Sequence, residues 1–181
     1  MTQKEIFRII EEELHEQNVK TTISEDEIIW LDHYGAENLV SGFAIAIGNN
    51  EMLAWWQQNE VGNDQVKMRI RKDLIVTWRP PLNTMSMPSS GASFIEFCGN
   101  SLILKYRDKH RARIFIFNIN TLRAEEIFSE GFQKVIKLIG NELFIRDYLG
   151  DEILKITIYP EYFEKENIDH DYLITRNINL D

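Results

Sequence analysis

The sequence predicts a mainly β protein, an antiparallel meander of about 10–12 strands, open or two-layered, behind one N-terminal α-helix. Three observations carry this. Apolar residues recur at helical spacing only at the start of the chain. From about residue 27 onward the period falls to two, with β-branched and aromatic enrichment. Two Gly-Asn pairs, each between apolar runs, stand 41 residues apart.

The helix is predicted over 3–17. Thr2 with Glu5 three residues on is a capping-box signature. Ile6, Ile10 and Leu14 form a stripe that Phe7 and Ile9 widen, while Glu5, Arg8, Glu12 and Glu16 occupy the opposite side. Strands are then expected at 27–31, 43–47, 52–57, 66–71 and 74–78. Residues 79–93 hold three of the four prolines and read as an exposed loop, since proline cannot donate to a ladder.

Beyond that loop the pattern repeats. The segment 94–104, FIEFCGNSLIL, aligns with 135–145, VIKLIGNELFI. Each copy is a strand, a Gly-Asn turn and a second strand. Glycine supplies the positive φ that a type II′ turn needs at its first central position. Third strands follow at 112–118 and 152–159, and 123–128 supplies a fourth to the first copy. A fainter copy around Gly48-Asn49 fits with a one-residue slip. Over 43–159 this resembles the four-stranded blades of β-propellers, without the Gly-His and Trp-Asp signatures of WD repeats. The resemblance implies stacked antiparallel units. With two clear copies and one faint one, an open meander is expected within a single domain, 1–181.

Composition narrows the function classes. No apolar run reaches the roughly 18 residues that span a bilayer, so no membrane association is expected. The acidic start of the chain is not that of a signal peptide. Cys98 is the single cysteine, so no intrachain disulfide forms and a reducing cytoplasm fits best. Net charge is −9, distributed as −10 over 1–64, +7 over 65–113 and −6 over 114–181. Nucleic acid is thereby disfavoured, and a basic protein partner is favoured because acidic surface steers it in.

Catalytic and cofactor motifs are missing from the sequence: no Gly-x-Ser-x-Gly elbow, phosphate loop or dinucleotide fingerprint. Cys98, between Phe97 and Gly99, reads as a structural thiol. His15, His33, His110 and His170 fall outside ligand spacing, and Asp169-His170-Asp171 reads as a surface loop, so neither a metal nor a cofactor is expected. An enzymatic reading would need Asp32, His33 and Tyr34 to meet a distant acid in a pocket.

Two binding surfaces are candidates. Glu25, Asp26, Glu27, Asp32 and Glu37 flank Trp30 and Tyr34, an arrangement in which aromatics anchor a basic protein and acids steer it. Trp56 joins this set if the adjacent Trp55 points inward; packing of both in the core is the alternative. The second surface comprises Lys67, Arg69 and Arg71 with Lys105, Arg107 and Arg111. Alternation puts each stripe on one strand face, giving an anion-binding patch if the hairpins adjoin, or else a solvated sheet face. In general character the chain resembles small acidic bacterial immunity proteins. That resemblance implies a non-enzymatic cytoplasmic binder of a basic toxin, for example a nuclease. A small phosphate- or nucleic-acid-associated module is the alternative.

Overall fold

The structure, a computed structural model, describes residues 1–16, 21–23, 28–31, 37–40, 45–57, 65–81, 92–108, 111–129, 134–147 and 151–180. The chain divides into two compact units. Unit 1 comprises Met1–Glu96 with Tyr106–Lys109, and unit 2 comprises Phe97–Lys105 with His110–Asp181.

Helix α1 spans Gln3–Glu16. Its start is the predicted capping box: the Thr2 amide donates to Glu5 Oε2 at 2.6 Å and the Glu5 amide donates to Thr2 Oγ1 at 3.3 Å. These bonds to Thr2 hold the Glu5 carboxyl below the usual carboxylate range. The stripe Ile6, Phe7, Ile10 and Leu14 is buried against Leu53 and Trp55. Each such side chain contributes about 1.5–3 kcal/mol by leaving water.

Three strands follow, β1 (Thr21–Ile23), β2 (Ile28–Leu31) and β3 (Glu37–Val40), paired antiparallel in chain order. Then come three four-stranded antiparallel sheets, each a sequential meander. The first is β4 (Ile45–Ile47), β5 (Leu53–Gln57), β6 (Gln65–Arg71) and β7 (Leu74–Trp78). The second is β8 (Ala92–Cys98), β9 (Ser101–Asp108), β10 (Arg111–Asn118) and β11 (Arg123–Ser129). The third is β12 (Lys134–Ile139), β13 (Glu142–Asp147), β14 (Ile153–Ile158) and β15 (Phe163–Ile168). Among the described residues no sheet closes on itself into a barrel.

The repeat seen in the sequence is a structural repeat. Gly99 and Gly140 have φ of +56° and +61°, and neither following asparagine has positive φ, which is the II′ pattern. In both copies the turn asparagine's carbonyl accepts from the end of the third strand: Ile119 to Asn100 at 2.9 Å, Ile158 to Asn141 at 2.8 Å. In the faint copy the slip is real, because Asn49–Glu51 forms a short 3-10 turn with positive φ at Asn50 and Glu51. A Cβ at Gly140 would meet nothing within 4 Å, so the cost of adding one is purely conformational. Gly140→Ala is therefore expected to destabilise unit 2 by about 1–2 kcal/mol, read from urea denaturation. An unchanged midpoint would count against the strain argument.

The described residues hold fifteen strands, three more than the segments expected from sequence. The additions are β1, β3 and β15, which are short or highly charged. A second correction concerns Asp169-His170-Asp171, expected as a surface loop. His170–Thr175 forms helix α2, whose N-cap is Asp169 accepting from the Tyr172 amide at 2.9 Å. Leu173, with Leu180, is buried against Phe144 and Ile153 of the third sheet. The predicted 79–93 loop falls mostly outside the described residues, although the Pro81 carbonyl accepts from the Tyr106 hydroxyl at 2.8 Å.

Candidate functional site

Of the predicted aromatic–acid surface, Glu25, Asp26, Glu27, Asp32 and Tyr34 lie outside the described residues, as does His33. Trp30 lies on β2 opposite Thr21 and Asn38, and Glu37 on β3 opposite Leu31. Trp56 is corrected: it is 3% exposed and cannot anchor a partner. Its ring lies 5.4 Å from that of Tyr106, a contact within unit 1. Both faces of β5 are covered, which is why period two did not send one of the two tryptophans outward.

The basic stripes are corrected as well. On β6 every residue from Gln65 to Met68 is buried, so Lys67 is not on a wet face. Register pairs Lys67 with Trp55 and Arg69 with Leu53, the same sheet face on which α1 lies. Lys67 Nζ donates to Glu13 Oε1 of α1 at 2.9 Å, with both side chains nearly buried. Arg69 is half-buried, and Arg71 is exposed and ion-paired with Asp73 at 3.2 Å. Lys105 is half-buried in β9, where burial lowers its ammonium pKa. Arg111 is exposed, and the side chain of Arg107 lies outside the described residues. β6 and β9 belong to different sheets, so the two stripes do not form one pleated patch.

Cys98 is half-buried, and its thiol donates to the Gly140 carbonyl at 3.6 Å. Among the described residues no group of three or more His, Cys, Asp or Glu side chains could hold a metal ion. No helix among them is long and apolar enough to cross a membrane.

The concave site that does emerge lies within unit 2, and the sequence reading missed it. It is a groove of about 460 Å³ between β10–β11 and the turn joining β14 to β15. Ile116, Asn118, Arg123 and Glu125 share one face of the second sheet, since Ile116 opposes Glu125 and Asn118 opposes Arg123. Ser101 and Thr121 line the same groove, and Glu161, Tyr162 and Phe163 face it from the turn.

Asn118 builds the edge. Its side-chain oxygen accepts from the amides of Asn120 and Thr121 at 2.9 and 3.1 Å, an Asx-type turn that shapes the β10–β11 connection. Its amide nitrogen donates to the Pro160 carbonyl at 3.1 Å, tying that connection to the 159–162 turn. Tyr162 is 57% exposed and stacks on Tyr159, ring centroids 4.6 Å apart. The Tyr159 hydroxyl donates to Glu164 at 3.5 Å, and the Glu164 charge raises the phenol pKa.

Around the third sheet the surface is acidic. Asp151, Glu152, Glu164, Glu166 and Asp171 are all exposed, against an exposed Lys165 and Arg176. The signal for this surface was present in the sequence as the −6 balance of 114–181, but nothing local marked where the acids would gather. Comparison of the chain with protein-family models and with curated proteins finds no match.

Proposed function

We propose that this protein is a non-enzymatic binding protein that docks a basic protein partner against the acidic edge of unit 2. Its most specific form is a bacterial cytoplasmic immunity protein that neutralises a basic toxin, such as a nuclease, on a scaffold related to propeller blades. One observation carries the reading. β15 is the outer strand of its sheet, its Glu164–Asn167 run is exposed, and exposed acids flank it at Asp151, Glu152 and Asp171. Such a field speeds encounter with a basic partner and fixes its orientation. Acids on an outer strand also discourage strand-to-strand aggregation, so stability alone does not test the reading.

The test is binding kinetics against any basic toxin domain that a neighbouring gene encodes, and finding no such gene counts against the reading. Tight association that slows steeply with added salt is expected. A triple variant, Glu152→Gln with Glu164→Gln and Asp171→Asn, is expected to lower the association rate about tenfold or more with little change in dissociation. Failure to bind that domain, with no protection of cells expressing it, would overturn the proposal.

A further inference from the structure

Ser101 is 3% exposed and lines the unit 2 groove, yet its hydroxyl has no hydrogen-bond partner among the described residues. The hydroxyl is not among the fully enclosed polar atoms left without a partner, so solvent in the groove reaches it, and a ligand there takes that water's place. The groove's charges are also incomplete. Arg123 makes no ion pair among the described residues, although Glu125 and Glu161 line the same groove. A purely anionic ligand would meet two carboxylates, and a purely cationic one would meet the guanidinium. A ligand bearing both signs satisfies all three groups.

Spacing narrows the class. Arg123 and Glu125 are two residues apart on β11, so their backbone positions are separated by about 7 Å. An extended dipeptide spans about the same length between its ends. Ile116, Phe163 and the exposed Tyr162 add apolar contact for a side chain, and about 460 Å³ falls in the range of small-molecule pockets. We infer that the groove binds a short peptide with free termini, in the size range of a dipeptide. Its carboxylate meets Arg123 and its ammonium meets Glu125 and Glu161. Its peptide group takes the Ser101 hydroxyl, and its apolar side chain lies on Tyr162. This site is separate from the docking edge proposed above and stands or falls independently of it.

The experiment is a thermal-shift titration of the full chain with leucyl-phenylalanine, beside the same dipeptide acetylated at its amine or amidated at its carboxyl. The free dipeptide at millimolar concentration is expected to raise Tm by several degrees through mass action, and blocking either end is expected to remove most of that shift. Arg123→Gln, a change at an exposed side chain, should leave the unliganded Tm unchanged and abolish the shift. Equal shifts from free and blocked dipeptides, no shift at 10 mM (about the weakest affinity worth calling a site), or an undiminished shift in Arg123→Gln would each overturn the inference. Calorimetry of Ser101→Ala at the same concentrations supplies a second readout: affinity falls several-fold if the hydroxyl contacts the ligand and is unchanged if it does not.

Discussion

Replacing Glu13 by alanine is expected to cost unit 1 about 3–5 kcal/mol, a large effect for a residue near the end of a helix. The reason lies in Lys67. Its side chain is 9% exposed and its ammonium is held at 2.9 Å by the Glu13 carboxylate, itself 12% exposed. Removing the acid strands a cation between α1 and the first sheet, where water cannot replace the lost partner. Removing both charges is a different matter. Glu13→Leu with Lys67→Met keeps the volume and abolishes both desolvation costs, so the double variant is expected within about 1 kcal/mol of the parent or above it. All four tryptophans, at 30, 55, 56 and 78, belong to unit 1, so urea denaturation followed by their fluorescence reports this unit selectively. A loss below about 1 kcal/mol in the single variant, or additive losses in the double, would show that the pair is solvated.

Leu173→Ala is expected to cost unit 2 about 2–5 kcal/mol. α2 has six residues, too few to hold a helix by itself, and packing on the third sheet must keep it folded. Leu173 is 5% exposed within the cluster with Phe144, Ile153 and Leu180. Beside that cluster Lys155 donates to Glu166 at 2.6 Å and to the Tyr172 hydroxyl at 3.1 Å, under the Tyr172 ring at 4.8 Å. The Glu166 bond, then the Tyr172 bond, raises the Lys155 pKa above the ordinary 10.5. Because the folded value is the higher one, this stabilisation is complete below 10.5 and disappears as pH rises through the folded value. Alkaline titration above 10.5 should therefore release α2 in the parent, and Lys155→Met should flatten that dependence. Far-UV circular dichroism that shows a loss in Leu173→Ala while tryptophan fluorescence is unmoved would place the effect in unit 2. Equal loss by both probes would contradict a local role.

The position of α2 also explains why the third sheet does not end in a bare face. Val135, Phe144, Ile153 and Ile168 lie on one side of it by register, and the C-terminal segment covers them. Lys137 Nζ donates to the Asn179 carbonyl at the end of that segment.

Most of the β architecture was legible in local pattern. The Gly-Asn turns, the strand runs between them and the capped amphipathic helix are short-range properties, and they appear where the periodicities put them. α2 was not legible because its signal, an Asp N-cap with one apolar residue facing inward, is too short to separate from a loop. The groove was not legible because Arg123 and Glu161 are 38 residues apart and come to line one groove only through the fold of unit 2.

The residues alone determined which segments are extended, where the chain turns, and that charge is distributed in three blocks of alternating sign. Alternation assigns each side chain to one of two faces, but it does not say whether a face meets water. Tertiary structure decided that. α1 covers the face of β6 that carries Lys67, so a cation expected in solvent became half of a buried ion pair. Burial depends on what packs above the sheet, and that partner comes from a distant part of the chain, 54 residues earlier in the case of Glu13.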